Sequence, residues 1–442
     1  MSTTKLMMFD PGHFHASLLL REMYPDVAST VSIFCPLGAD LLGHLARVAA
    51  FNGRPESPTS WSLDVYAGAE TFERMLRERP GNCVVFSGRS SGKIEKVLAS
   101  VRADLNVLVD KPWILNSEEL PAIETVLDEA DTRNVVAYDM MTERFEITTI
   151  LQRAMVNDHA VFGDLLRGSP SDPGIYMESI HFLLKWVAGS PLARPEWFFD
   201  TDEKGEGLTD IGTHLVDLAQ WTAFPNRAID YKRDIEILAA EHWPTEITEA
   251  DFQRVTGSRR FPAKLLARVK GGKLDFFCNT RVCYTLRGVH TVLNVVWDWE
   301  STGGSDTHFA AYKGVLSRVE VRQTEADRFK PEVYIVPNQL SDKPRILEAI
   351  EARLQALQRS YPGVGVEDLG SELRLKVPDT FRVGHEAHFA QVAAHFLRYI
   401  KDPSAMPAWE RPNMLAKYFV TTKGAELSRE SPVKVAPRLA PR

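Results

Sequence analysis

Residues 83–113 read CVVFSGRSSGKIEKVLASVRADLNVLVDKPW. The apolar run Cys83–Ser87 is followed by the helix-periodic segment Lys93–Arg102 and a second apolar run, Asn106–Asp110, which stops at Lys111-Pro112. Strand, helix and strand in that order imply a right-handed crossover between parallel strands. The alternation extends in both directions. Lys5–Asp10, Thr30–Phe34, Leu63–Tyr66 and Asn134–Tyr138 read as further strands, and Phe14–Tyr24, Glu70–Arg79 and Ser117–Ala130 as helices. Ser117 is placed to cap the last of these, with Glu118 and Glu119 in its first turn. The expected fold is an α/β, doubly wound parallel sheet, whose ligands sit beyond the carboxyl ends of the strands.

The pattern changes after about residue 145. Glu146–Asn157 and Gly207–Ala223 read as helices, and Gly168–Gly174 as a loop. Lys264–Lys270, Leu274–Leu286, Val289–Glu300, Gly314–Gln323 and Glu332–Val336 are strand-like, with hairpin turns at Gly271-Gly272 and Arg287-Gly288. Arg345–Ser360, His385–Ile400 and Met414–Leu427 read as helices, and Pro437–Arg442 as a tail. The second part is therefore α+β, with a large, mostly antiparallel open sheet. The domains are drawn at 1–143 and 144–442, with 305–380 as elaboration. Periodicity assigns the C-terminal helices to neither domain.

A chain of 442 residues suits two domains. With 44% hydrophobic and 25% charged residues it has the balance of a soluble globular protein. A net charge of −7, without a basic stripe, argues against a nucleic-acid surface. The four cysteines form no C-x-x-C pair and read as buried free thiols. No signal peptide or membrane-length apolar run is visible, so a cytoplasmic protein without membrane partners is expected.

The turn after the first strand is Asp10-Pro11-Gly12-His13-Phe14-His15-Ala16. A dinucleotide fingerprint has three glycines and this segment has one. Two readings stand: Gly12 and the N–H groups of His13 and Phe14 meet a phosphate, or the turn holds no ligand. His13 and His15 lack an evident partner cluster, so no metal site is expected. Asp40, after the second strand, is either a ribose ligand or an exposed helix-start aspartate. No arginine stands beside it in sequence, which favours NAD over NADP while leaving NADP open.

Two further segments carry chemistry. Lys111, in Val109-Asp110-Lys111-Pro112-Trp113, falls at the ligand edge of the sheet or is an ordinary exposed lysine. Gly205-Glu206-Gly207-Leu208-Thr209-Asp210-Ile211-Gly212-Thr213-His214 places Asp210 and His214 four residues apart, on one helical face. A carboxylate beside an imidazole is a proton acceptor near neutral pH, or a surface ion pair. Tyr176, His181 and Trp186 sit where they could line a cleft, with a core role the plainer reading.

Together the motifs Asp110-Lys111-Pro112 and Gly205 to His214, with Tyr138–Phe145 as a crossing segment, resemble the glucose–fructose oxidoreductase / inositol dehydrogenase / MocA family over roughly residues 1–300. The single-glycine loop departs from its pattern. The resemblance implies hydride transfer between NAD (or NADP) and a secondary hydroxyl of a sugar, glycoside or cyclic polyol. It implies His214 as base, Asp210 as its orienting group and Lys111 as donor to the reacting oxygen, with Lys111 as base the alternative. Gly12, His13, Phe14, Asp40, Ser87, Lys111 and Pro112 are the implied cofactor contacts, and a homodimer or tetramer the implied assembly. Two other activities fit the same motifs: a redox-neutral elimination that recycles NAD, and a sugar-binding module that has lost its nucleotide.

Overall fold

The computed structural model describes residues 3–187, 190–300 and 305–431; the tail at Pro437–Arg442 lies outside them. The chain forms two compact units. One is Met1–Glu146 with Asp202–Lys204 and Val383–Leu415; the other is Ile147–Thr201, Gly205–Arg382 and Ala416–Arg442.

In the first unit, β1 (Leu6–Phe9), β2 (Thr30–Cys35), β3 (Ser62–Ala67), β4 (Cys83–Phe86), β5 (Asn106–Val109) and β6 (Ala137–Asp139) form one sheet in the order β3-β2-β1-β4-β5-β6. Each neighbouring pair is parallel, as the strand–helix alternation requires. Met7, Val84 and Val107 are fully buried in its central strands. The helix His385–Lys401 belongs to this unit: Phe389, Val392 and Phe396 share its core with Leu6, Val85 and Leu108. Periodicity could not assign that helix, because an amphipathic stripe specifies that a face is buried and not what buries it.

Local details differ from expectation. The first helix, α1, is only His15–Leu18; the chain then turns, and Tyr24 Oη donates to the Leu19 carbonyl at 2.8 Å. α2 (Ala39–Gly53) follows β2; the sequence reading marks only its start, at Asp40, and not its extent. α3 is Thr71–Glu78 and α4 is Lys93–Arg102. Ahead of α5 (Leu120–Arg133), Ser117 does not cap; it opens a short 3-10 turn, Ser117–Glu119, and Glu119 Oε2 accepts the N–H groups of Leu115 and Asn116, each at 3.0 Å.

The second unit is built on a ten-stranded sheet. Its order is Ile235–Thr248, Lys273–Leu286, Val289–Glu300, β7 (Ile175–Leu184), Thr307–Lys313, Ser317–Gln323, Glu332–Pro337, Leu373–Lys376 and Gly365–Asp368. The short strand Val269–Lys270 pairs with Lys273–Leu286. β7 is parallel to Val289–Glu300 and antiparallel to Thr307–Lys313. Both hairpin turns are present, with φ of +56° and +80° at Gly271 and Gly272, and +50° and +79° at Arg287 and Gly288, the left-handed pairs that tight hairpins need.

Several strands escaped the sequence reading, among them Thr307–Lys313, Gly365–Asp368, Leu373–Lys376 and the two longest, β7 and Ile235–Thr248. β7 carries Glu178, Ser179 and His181 among its apolar residues, so its period is obscured. Ile235–Thr248 contains Pro244, which argues against a strand; the sheet accommodates it at a register shift between Trp243 and Thr245. Lys264–Lys270 is mostly a 3-10 turn, Ala263–Arg268, rather than a strand. Gly314–Gln323 proves to be the second half of a hairpin, Thr307–Lys313 and Ser317–Gln323. Residues 305–380 add five strands to this sheet and the helix Lys343–Leu357, which buries Ile346, Ile350 and Leu354 in the same core.

Gln152, on α6 (Ile147–Val156), donates to the carbonyls of Ala310 at 3.0 Å and Val319 at 3.3 Å. Tyr312 Oη, fully buried, donates at 3.0 Å to the carbonyl of Leu218 in the helix Gly212–Ala223. Tyr312→Phe is expected to cost about 1 kcal/mol, lowering the unfolding midpoint of the second unit in a thermal scan; an unchanged midpoint would show that this bond does not brace the helix.

Candidate active site

Beyond the carboxyl end of β1, the chain turns through Asp10, which takes the left-handed conformation (φ +44°) where a dinucleotide loop has its first glycine. The Gly12 N–H donates to the Asp10 carbonyl at 2.7 Å, and the His13 N–H to the Ser87 carbonyl at 3.0 Å. Two of the N–H groups expected to meet a phosphate are therefore engaged within the protein. The glycine this geometry requires is on the neighbouring strand's loop: a Cβ at Gly88 would lie 2.0 Å from the Asp10 carbonyl oxygen.

The side chains of the loop turn toward Asp110, which is 2% exposed at the end of β5. His13 Nδ1 lies 3.0 Å from Asp110 Oδ2, His15 Nδ1 3.0 Å from the same oxygen and 3.2 Å from Oδ1, and Ser87 Oγ donates to Oδ2 at 2.9 Å. Burial opposes the charge of Asp110, but the surrounding His15 and His13 outweigh it and hold the carboxyl well below its usual range. For His15 burial dominates, pushing the imidazole well below its ordinary value against the pull of Asp110. The partner that sequence spacing failed to find for His13 and His15 is thus Asp110, 95 residues beyond His15. Phe14 packs its ring against both imidazoles, with centroids at 4.7 and 4.6 Å.

Lys111 follows Asp110 and is 7% exposed; a cis bond joins it to Pro112. Its turn is held by Lys93, a buried lysine with no motif to announce it. Lys93 Nζ donates to the carbonyls of Asp110 at 3.1 Å and Pro112 at 2.8 Å, and to Ser90 Oγ at 3.2 Å. Burial brings its pKa down to about 8, against the opposing pull of Asp110. Asp40 stands in the first turn of α2, a helix-start residue as one reading had it, but it is not exposed. Its side chain is 15% exposed and pairs with Arg89 at 2.9 Å, while Arg89 also reaches Asp10 at 3.2 Å. The arginine missing from the sequence around Asp40 is therefore supplied by the loop after β4.

In the second unit, Asp210 and His214 are 5% and 8% exposed. They lie on the segments Gly207–Asp210 and Gly212–Ala223, joined at Ile211, which keeps helical angles (φ −74°, ψ −34°), so one face is preserved. Thr213 Oγ1 donates to the Asp210 carbonyl at 2.6 Å. Glu206 anchors the approach, accepting from His242 at 3.0 Å and Arg429 at 2.8 Å. Burial raises its pKa, and those hydrogen bonds overcome the effect and lower it. A Cβ at Gly207 would lie 2.0 Å from the Cys278 carbonyl oxygen, so this helix start rests directly on the sheet. Asp217 faces buried Lys417 at 3.7 Å and is structural.

A polar chain stands near Asp210. Ser179 Oγ and His181 Nε2 are 2.8 Å apart, His181 Nδ1 and Asp306 Oδ2 2.9 Å, and Lys185 bonds the same carboxylate. His181 lies over Trp297, with centroids at 5.0 Å. Burial lowers its pKa, with Asp306 and Asp210 opposing. Arg194 is brought down to about 10 by burial, against Asp306 and Asp210. His181 thus belongs to a charged network rather than a plain core, and Arg194 and Asp306 join it from segments without a recognisable signal. Tyr176 Oη donates to Glu178 at 3.2 Å; the surroundings of the Trp186 side chain lie outside the described residues.

Residues 151–429 match the family described as "Putative oxidoreductase C terminal domain". A structure described as a "putative oxidoreductase" from Parabacteroides merdae is 40% identical, with a TM-score of 0.94, over 97% of this chain and 98% of its own. The chain belongs to this oxidoreductase family. The fold is shared with levoglucosan dehydrogenase, at 11% identity and a TM-score of 0.58 over 97% of this chain and 98% of that one. It is shared too with KijD10, a 3-ketoreductase from Actinomadura kijaniata in complex with NADP and TDP-benzene, at 14% identity and a TM-score of 0.55 over 94% and 95%. No curated protein matches. Among the described residues, no helix is long and apolar enough to cross a membrane.

Gly88→Ala is expected to destabilise the first unit by about 2 kcal/mol or more, since its Cβ would overlap backbone. Gly38→Ala, where nothing lies within 4 Å, should stay within about 0.5 kcal/mol. Equal denaturation midpoints for the two variants would contradict the role assigned to Gly88.

Proposed function

We propose that this oxidoreductase is of the glucose–fructose oxidoreductase / inositol dehydrogenase / MocA type, and transfers a hydride between NAD(P) and a secondary hydroxyl of a sugar, glycoside or cyclic polyol. The observation that carries the reading is Lys111, fixed at the end of β5 by Lys93 in a sheet of order β3-β2-β1-β4-β5-β6. The named functions of levoglucosan dehydrogenase and of the NADP-bound ketoreductase support it.

The residues at the switch point between β1 and β4 fit a dinucleotide. Arg89 offers a cation to a phosphate, Asp40 a carboxylate to a ribose hydroxyl, and His13, Phe14, Ser87 and Gly12 line the turn. Lys111 and Pro112 would hold the nicotinamide. When bound, the nicotinamide supplies the hydride acceptor or donor. With Arg89 beside Asp40, NADP is admitted along with NAD.

Three residues of this chain then do the polar work. The His214 imidazole takes the hydroxyl proton during oxidation. Asp210 orients that imidazole and stabilises its charged form. The Lys111 ammonium donates to the reacting oxygen and stabilises alkoxide charge as it develops. Four buried free cysteines accord with a reducing, cytoplasmic setting, and we assign a small polyol as the partner, with a homo-oligomer as the assembly.

The test is incubation with NAD or NADP and a panel of sugars, glycosides and inositols, following reduced nicotinamide by absorbance. His214→Ala and Lys111→Met are each expected to lower kcat by about 10²–10⁴, and in His214→Ala the nucleotide affinity should stay within about threefold. Aglycone release without reduced nicotinamide would replace net dehydrogenation by redox-neutral elimination. Failure of both nucleotides to bind at millimolar concentration would end the oxidoreductase mechanism.

A further inference from the structure

The Asp110 carboxylate has an uneven set of neighbours. Three groups converge on Oδ2: His13 Nδ1 at 3.0 Å, His15 Nδ1 at 3.0 Å and Ser87 Oγ at 2.9 Å. Among the described residues, Oδ1 has only the longer approach of His15, at 3.2 Å. A carboxylate oxygen has two in-plane lone pairs, so three protons directed at one oxygen exceed its capacity. The ligand-capable atoms of His13, His15 and Asp110 all lie within 4.8 Å of one another. A tetrahedral site with metal–nitrogen distances of about 2.0–2.1 Å has ligand–ligand edges of about 3.3 Å. Two of the three ligand–ligand edges, the nitrogen–oxygen separations of 3.0–3.2 Å, lie within a few tenths of an ångström of that value.

We propose that His13, His15 and Asp110 form a binding site for a divalent transition-metal ion, with the two Nδ1 atoms and a carboxylate oxygen as ligands and Ser87 as the hydrogen-bonding partner of the bound carboxylate. The metal replaces the imidazole protons that now crowd Oδ2. Two imidazole nitrogens and one carboxylate suit zinc, iron(II) or cobalt(II) rather than magnesium or calcium. The ligands are rigidly presented: Asp110 follows β5, the histidines follow β1, and Ser87 follows β4 between them. His13 is the open side of the triplet, its side chain 20% exposed against 8% for His15 and 3% for Asp110. The fourth position faces that side and is filled by water or by an oxygen of an anionic ligand, the arrangement of a three-ligand, open site. The proposal does not depend on the nucleotide reading.

The experiment uses the full chain, stripped with chelator, dialysed without nucleotide, and titrated with cobalt(II). Visible absorption and calorimetry are the readouts. The expected result is one cobalt ion per chain with the d–d bands of a low-coordinate nitrogen/oxygen site, displaced by zinc. His13→Gln, at the partly exposed ligand, is expected to weaken cobalt binding by at least about 100-fold, and Ser87→Ala by about 10-fold, the range for outer partners. His159→Gln, at an exposed histidine elsewhere (side chain 80% exposed), should leave binding unchanged. Circular dichroism and the unfolding midpoint check that each variant is folded. Absence of a stoichiometric cobalt site in the unmodified protein overturns the proposal, as does an affinity unaltered in His13→Gln. Since no nucleotide is present, either result leaves the hydride-transfer reading standing.

Discussion

The Asp110 carboxylate sets the geometry of the first unit's ligand edge. An ionised carboxylate taken out of water costs several kcal/mol unless donors surround it. Here the donors come from three different segments: His13 and His15 from the turn after β1, and Ser87 from the end of β4. The backbone of the same residue is gripped by Lys93 from α4. One buried charge thereby ties β1, β4, β5 and α4 together at the place where Lys111 leaves the sheet. A dinucleotide turn usually obtains its shape from glycines; the turn after β1 obtains its shape from imidazoles drawn to a carboxylate, with a left-handed aspartate at its start and Gly88 providing clearance opposite.

The second unit repeats the device with other residues. Glu206 is buried between His242 and Arg429, and Asp217 faces Lys417. These carboxylates flank Asp210 and His214 on either side in the chain and fasten their helical segment to the protein around it. Gly207, resting on the Cys278 carbonyl, brings that segment against the sheet, while Tyr312 reaches the same helix from residues that lengthen the sheet. The charged network of His181, Lys185, Arg194 and Asp306 is set against Trp297 near Asp210. A site of this kind, polar inside an apolar shell, strengthens every electrostatic interaction within it.

Family membership follows from similarity along almost the whole chain, at 40% identity to a single solved structure. The chemistry we propose rests on particular side chains. Lys93 donates to the carbonyls on either side of Lys111, so the turn that carries Lys111 is held from α4. Asp40 and Arg89 neutralise one another, which makes the second strand's edge neither purely acidic nor purely basic. In the function we propose, a choice between the two nicotinamide dinucleotides would turn on how that ion pair opens, a different matter from the presence of one acidic residue.

The sequence by itself determined the parallel sheet, because short apolar runs separated by helical periods admit one kind of crossover. It also determined the tight hairpins, because Gly271-Gly272 and Arg287-Gly288 suit left-handed pairs, and the helical spacing of Asp210 and His214. Those are local properties, readable within a few residues. It did not determine β7, whose polar residues pair with one another, with Asn294 and with Asp306, nor Ile235–Thr248, whose proline is absorbed by a register shift. Nor did it determine which core claims His385–Lys401. The partners that matter most at the site are of this second kind: Asp110 for His13 and His15, Arg89 for Asp40, Lys93 for the Lys111 turn, Asp306 for His181. Only the tertiary structure decided them, because a sheet, parallel in the first unit and antiparallel between β7 and Thr307–Lys313, sets side by side residues that lie far apart in the chain, and a buried charge takes its partner from whatever the sheet brings within reach.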